Sequence, residues 1–204
     1  MPALKNFSLL KDLSLGWIEL QANAPKLRFI KYSGRVAIFD LDHICCLEEA
    51  DLDFGLESSF GSNDGDFLYN LLLDLFSVTI LTACSYMLQV IPYSEGTTGT
   101  ESPLNDYKPL FEFNPSEFWT KNLVVHKCIR RTLKLVEVKG FKGTVNEFLV
   151  LQYLICLGRV MERMNLYISR ETDDNGGNLE LYRASAQMLL QLKKASKKRQ
   201  ISIY

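Results

Sequence analysis

The chain has 204 residues, 47% of them hydrophobic and 23% charged, with a formal net charge of −1. This suits one ordinary domain or two small ones around a real core, and excludes a disordered chain or a fibrous rod. A balance so near zero also excludes a generic polyanion binder, so no nucleic-acid partner is expected.

The opening MPALKNFSLLKD turns polar at Lys5 and has no apolar stretch of the kind a signal peptide needs. The five cysteines are odd in number, and Cys45 and Cys46 are adjacent. That is no disulfide framework. It implies reduced thiols and a cytoplasmic or nuclear protein.

A degenerate repeat organises the chain. The pattern Φ-x-x-Φ-x-Φ, with Φ apolar, occurs at Leu10/Leu13/Leu15, Leu27/Ile30/Tyr32 and Leu47/Ala50/Leu52. It recurs at Val78/Leu81/Ala83, Leu133/Val136/Val138 and Met161/Met164/Leu166, with starts 17, 20, 31, 55 and 28 residues apart. Each Φ-x-Φ predicts a short strand whose two Φ side chains enter the core while the x residues face the other way. The chain between them returns along the outside, often as a helix, and each unit is stabilised by stacking on its neighbours.

The return helices are legible in order. Residues 67–76 form one (Phe67, Leu68, Leu71, Leu72, Leu75), with Asp64 and Asp66 at its positive end. Residues 75–94 carry no charge, but Ser77, Thr79, Thr82, Ser85, Gln89 and Pro92 make them too polar for a membrane span. They read as a buried strand followed by a short helix, and no membrane partner is expected. Four of the six prolines fall in residues 92–118, which form a loop or linker. It separates a repeat block, residues 1–91, from a C-terminal block, residues 119–204.

Thr144-Val145-Asn146-Glu147 is a capping box that opens a helix running to Leu157, and Gly158 stands where a glycine cap belongs. Leu179, Tyr182, Ala186, Leu189 and Leu190 share one face of a further helix. Lys193, Lys194, Lys197 and Lys198 follow its end, and the run KKASKKR (193–199) reads as a lysine-rich helix end rather than an import signal. Ile201 and Ile203 make a last strand.

Charge is partitioned along the chain. Residues 1–35 hold six Lys/Arg against two acids, residues 36–107 hold thirteen acids and no Lys/Arg, and residues 108–204 hold seventeen Lys/Arg against nine acids. The acidic stretch is expected to pair internally with the basic flanks, or to offer an acidic surface to a basic partner.

Chemistry-bearing motifs are absent: there is no G-x-S-x-G, no phosphate-binding glycine loop and no H-E-x-x-H. His43 and His126 each precede a cysteine by two residues (Cys45 and Cys128), without the second ligand pair that zinc requires. Glu48, Glu49, Asp51 and Asp53 lack the loop spacing of a calcium site and read as surface acids. No catalytic residue, metal or cofactor is expected.

The segments APKLRFIKYSGRV (24–36) and LEEADLDFGLES (47–58) resemble the repeat region of plant F-box/leucine-rich-repeat proteins. LKLVEVKGFKGTVNEFLVLQYLICLGRVMERMNLYIS (133–169) resembles their C-terminal FBD domain. The resemblance implies an α/β fold, a curved leucine-rich-repeat-like solenoid with parallel strands on one face and helices on the other. It also implies the substrate-binding part of an SCF-type ubiquitin-ligase receptor, a protein-recognition module and not an enzyme. Nothing before Leu10 resembles an F-box, so docking on the Skp adaptor is not expected from this chain alone. A truncated, decoy or non-functional form of such a receptor is the alternative.

If the register holds, the x positions line one surface for an unidentified protein target. They begin with Asp12 and Ser14 and continue through Phe29, Lys31, Glu49, Asp51 and Asp53. Ile80, Thr82, Leu135, Glu137, Lys139, Arg163, Asn165 and Tyr167 complete the surface. Phe29, Arg163 and Tyr167 are the expected anchors, and the charged residues are expected to steer.

Overall fold

The computed structural model describes residues 6–10, 19–21, 27–40, 46–55, 64–90, 129–172 and 178–204. The elements in chain order are β1 (Asn6–Leu10), β2 (Glu19–Gln21), β3 (Phe29–Ser33), β4 (Ile38–Asp40), β5 (Glu49–Asp53) and α1 (Asp64–Asp74). They continue with β6 (Ile80–Cys84), α2 (Ser85–Val90), β7 (Leu135–Phe141), α3 (Val145–Leu157), β8 (Arg163–Ile168), α4 (Leu179–Leu190) and β9 (Gln200–Ile203).

Seven strands form one parallel sheet in the order β1-β3-β5-β6-β7-β8-β9, and β2 and β4 form a separate parallel pair. Strands of the large sheet therefore neighbour one another in the order in which the chain makes them. β6 pairs with β7, so the sequence blocks on either side of residues 92–118 share one sheet.

The repeat is what builds this sheet. β3, β5, β6, β7 and β8 begin two residues after Leu27, Leu47, Val78, Leu133 and Met161, and those five side chains form a buried column. Ile30, Ala50, Val136 and Met164 make a second buried column, with Leu81 partly buried among them. Tyr32, Leu52, Ala83, Val138 and Leu166 make a third. Full burial of an aliphatic side chain of this size is worth roughly 1.5–3 kcal/mol, so each column stabilises the stack far more than any strand stabilises itself.

A backbone pattern repeats with the same period. The N–H groups of Glu48 and Glu49 both donate to the Arg28 carbonyl, and those of Thr79 and Ile80 to the Glu48 carbonyl. Lys134 and Leu135 donate to the Thr79 carbonyl, and Glu162 and Arg163 to the Lys134 carbonyl. One carbonyl per unit thus holds two amides of the next. Side chains reinforce these joins: Ser77 Oγ donates to the Leu47 carbonyl at 2.8 Å and Thr79 Oγ1 to the Glu48 carbonyl at 3.0 Å.

The first expected unit needs correction. Its strand is Asn6–Leu10, and Phe7 and Leu9 stand in register with Ile30 and Tyr32. Leu10 ends that strand instead of opening the unit, and Leu13 and Leu15 lie outside the described residues. Two apolar triplets follow one another here, Leu4/Phe7/Leu9 and Leu10/Leu13/Leu15, and only the pairing partner distinguishes them. The pair β2–β4 was also not expected, since three-residue strands carry too little periodicity to register.

The helices fall close to the expected places. α1 starts at Asp64, so Asp64 lies inside the first turn and Phe76 beyond the end. Residues 75–90 form the end of a turn, then β6, then α2, as the polar content implied. Thr144 caps α3: its hydroxyl accepts from the Glu147 N–H, and the Glu147 carboxylate accepts from the Thr144 N–H. Gly158 is the C-cap, with φ −68° instead of a left-handed value. Glycine suits it by close approach, because a Cβ would meet the Leu154 carbonyl at 2.8 Å and Arg199 Nη2 at 3.0 Å. Asn178, for which the sequence pattern predicts no role, caps α4 through Oδ1, accepting from the N–H groups of Glu180 and Leu181.

Candidate functional site

Along β3, β5, β7 and β8 burial alternates, and the residues between the core positions face away from the core. All nine candidate residues stand at such positions: Phe29 and Lys31 on β3, Glu49, Asp51 and Asp53 on β5, Glu137 and Lys139 on β7, and Arg163 and Tyr167 on β8. Ile80, Leu135 and Asn165 lie among them, partly exposed. Asp12 and Ser14 lie outside the described residues, as do His43, Cys45, His126, Cys128 and residues 92–118. Thr82 is on this face but buried.

The face is partly self-neutralised. Asp51 Oδ2 lies 2.9 Å from Lys31 Nζ and Asp51 Oδ1 lies 2.9 Å from Lys139 Nζ. Two cations close over the carboxylate, leaving its side chain 14% exposed. Burial alone pushes the Asp51 carboxyl up, but the hydrogen bonds and charges of Lys139 and Lys31 outweigh it and hold the group below its usual range. Nearer the strand entries, Arg28 pairs with Glu48 at the surface. In all three pairs a base of a flanking segment meets an acid of residues 36–107, so the expected internal pairing is realised here.

Asn165 Nδ2 donates to Glu137 Oε1 at 2.7 Å, tying β8 to β7. Beyond them the rings of Tyr167 and Tyr204 stack, with centroids 5.0 Å apart and planes 17° apart. Lost hydration, followed by the negative charge of Glu137, pushes the Tyr167 hydroxyl up. The stack offers an exposed aromatic surface at the β9 side of the sheet, and Tyr204 was not anticipated. The signal was present in the extended register, which sets Leu166 beside Ile203 and so Tyr167 beside Tyr204.

The opposite side of the sheet carries polar groups of another kind. Glu147 is buried and accepts from Ser85 Oγ at 2.6 Å, from the Thr144 N–H at 2.8 Å, from Thr144 Oγ1 at 3.0 Å and from the Lys142 N–H at 3.2 Å. Burial pushes this carboxyl up despite those donors. Arg199, the last residue of the KKASKKR run, is only 4% exposed, and its guanidinium donates to the carbonyls of Ile155 and Gly158. Both groups are engaged in holding α3, and they do not form a reactive pair.

Cys84, buried, and Cys156, exposed, carry free thiols. Among the described residues no group of three or more His, Cys, Asp or Glu side chains is placed to hold a metal ion. Among the same residues no helix is long and apolar enough to cross a membrane.

Residues 121–166 match the family model FBD. This chain resembles plant F-box/FBD proteins. The described part of the FBD segment supplies β7, α3 and most of β8, and hence Glu137, Lys139 and Arg163 of the open face. An F-box protein of Arabidopsis thaliana is 28% identical, over 74% of this chain and 42% of its own length. A second Arabidopsis thaliana protein carrying the F-box name is 30% identical, over 72% of this chain and 42% of its own length. A third, named as an F-box/LRR-repeat protein of the same plant, is 24% identical over 82% and 46% respectively. The chain thus spans less than half the length of these curated relatives. No solved structure matches it.

Proposed function

We propose that the open sheet face recognises a protein, and that the chain is the substrate-binding part of an SCF-type ubiquitin-ligase receptor. On this reading the units stack as a curved leucine-rich-repeat-like solenoid, with strands lining the inner surface and helices the outer one. Its work is recognition and not catalysis, in the cytoplasm or nucleus. The F-box names of the relatives support the ligase context. The observation that carries the reading is the shared orientation of the strands: Phe29, Lys31, Glu49, Asp51, Asp53, Glu137, Lys139, Arg163 and Tyr167 project from one face of a single sheet.

A few anchors on such a surface supply most of the affinity, and charge supplies orientation and on-rate. The test compares two faces. Tyr167→Ala combined with Lys139→Glu is expected to abolish capture of the target from plant extract, and Met188→Glu on the exposed side of α4 is expected to leave it intact. Loss through the α4 variant alone would move the recognition surface to the helices.

A further inference from the structure

One row of the open face has a charge order that the rest lacks. The pairings Phe29↔Glu49, Glu49↔Ile80, Ile80↔Leu135 and Leu135↔Arg163 set these residues side by side across β3, β5, β6, β7 and β8. From β5 to β8 the row reads acid, apolar, apolar, base. Ile80 and Leu135 are partly exposed and Arg163 is exposed. The neighbouring row through Lys31, Asp51, Glu137 and Asn165 is satisfied within itself. By contrast, the side chains of Glu49 and Arg163 make no ion pair or hydrogen bond to any described residue.

Adjacent strands are spaced by about 4.8 Å, so Glu49 and Arg163 stand about 14 Å apart with the two apolar side chains between them. An extended peptide advances ~3.3 Å per residue and turns alternate side chains to the same side. Residues i, i+2 and i+4 of such a peptide span ~13 Å on one face. We propose that this row binds an extended peptide segment of a partner protein, laid across the strands, with a Lys or Arg on Glu49. The apolar residue two positions on rests against Ile80 and Leu135, and the Asp or Glu four positions on meets Arg163. This rests on the protein-recognition reading above and deepens it by naming the chemistry of the partner. Charge complementarity selects this occupant, since a wholly acidic or wholly basic segment would set one end against a like charge.

The experiment selects binders from a displayed library of random ten-residue peptides. The full chain is the bait, alongside Glu49→Lys, Arg163→Glu and Tyr167→Ala variants with matched unfolding curves. Peptides enriched on the unaltered chain are expected to carry a base and an acid four positions apart with an apolar residue midway. Glu49→Lys is expected to weaken them at least about tenfold and to shift enrichment to an acid at both ends. Arg163→Glu is expected to shift it to a base at both ends. The double reversal is expected to restore the original motif, since a peptide lying the other way round satisfies it.

Enriched peptides without this spacing, or with equal affinity for both single variants, would overturn the assignment. If those peptides then failed on Tyr167→Ala, the open face would still recognise proteins, through another row. If they bound every variant equally, the proposed function would fall with the assignment. A library with no enriched peptide would also overturn a peptide occupant.

Discussion

Lys139 and Asp51 are 88 positions apart in the chain, yet Nζ lies 2.9 Å from Oδ1. The contact spans a strand: β6 lies between β5 and β7, and Thr82, at the intervening position, is buried. Lys31 reaches the same carboxylate from the other side. An acid from the stretch without bases is thus clamped by one lysine from each basic flank, and three units are tied together on the open face.

Asp51→Asn should lower stability by roughly 1 kcal/mol, the scale of partly exposed ion pairs, since it leaves two lysines facing one amide. The folded carboxyl sits below its usual range. Its stabilisation is therefore present above the unfolded pKa and is lost as pH falls through the lower folded value. Urea unfolding at pH 7 and at pH 3 checks this, with the difference between parent and variant shrinking in acid. High salt should shrink it as well.

Glu147 carries the opposite sign. Burial raises its carboxyl above the usual value, so its contribution is full below the unfolded pKa and is lost as pH rises through the folded one. Glu147→Gln should remove that pH dependence. It also turns an amide NH2 toward the donors of Ser85, Thr144 and Lys142, and is expected to cost about 1–3 kcal/mol at pH 7. Thermal unfolding of parent and variant across pH 4–8 reads both effects, and identical pH profiles would contradict the account.

Arg199 holds the end of α3 with a buried guanidinium. Arg199→Ala takes the guanidinium from the Gly158 carbonyl and leaves the Ile155 carbonyl with the Ala195 N–H alone, and should destabilise the chain by about 2–3 kcal/mol. Lys197→Ala, an exposed neighbour in the same run, should change stability by less than about 0.5 kcal/mol. Equal melting temperatures for the two variants would refute the capping role.

Two glycines separate backbone strain from crowding. Gly140 has φ 73° at the irregularity between Lys139 and Phe141, and a Cβ there would lie a comfortable 3.9 Å from Ser85 Cβ. Gly143 has φ 71°, and a Cβ there would meet Ser185 Cβ at 2.6 Å. Gly140→Ala should cost about 1–2 kcal/mol from conformation alone. Gly143→Ala should cost distinctly more, because α4 must also shift. Denaturant midpoints of the two variants provide the comparison.

What was legible in the sequence follows from the range of the forces involved. Five repeat units were readable because strand alternation and a buried residue two positions upstream leave a short, local pattern: Leu27, Leu47, Val78, Leu133 and Met161 all hold their places. The Thr144–Glu147 box was readable because its partners lie three residues apart. The first strand was misplaced because Leu4/Phe7/Leu9 fits the template as well as Leu10/Leu13/Leu15 does. The burial of Arg199 was hidden by four lysines in its own run, since its partners, Ile155 and Gly158, are 44 and 41 positions away. The alternate positions of the open face were legible, but the clamp on Asp51 and the Tyr167–Tyr204 stack were not. Both depend on how far side chains reach across neighbouring strands.

Contact between the open sheet face and a protein partner is the core of the proposed function. Its most direct test places a photoreactive amino acid at Tyr167 on that face and, separately, at Met188 on the exposed side of α4, followed by irradiation in plant extract. The account predicts a discrete protein adduct from position 167, competed by excess unlabelled chain, and none from position 188. An adduct from position 188 with none from 167 would contradict it.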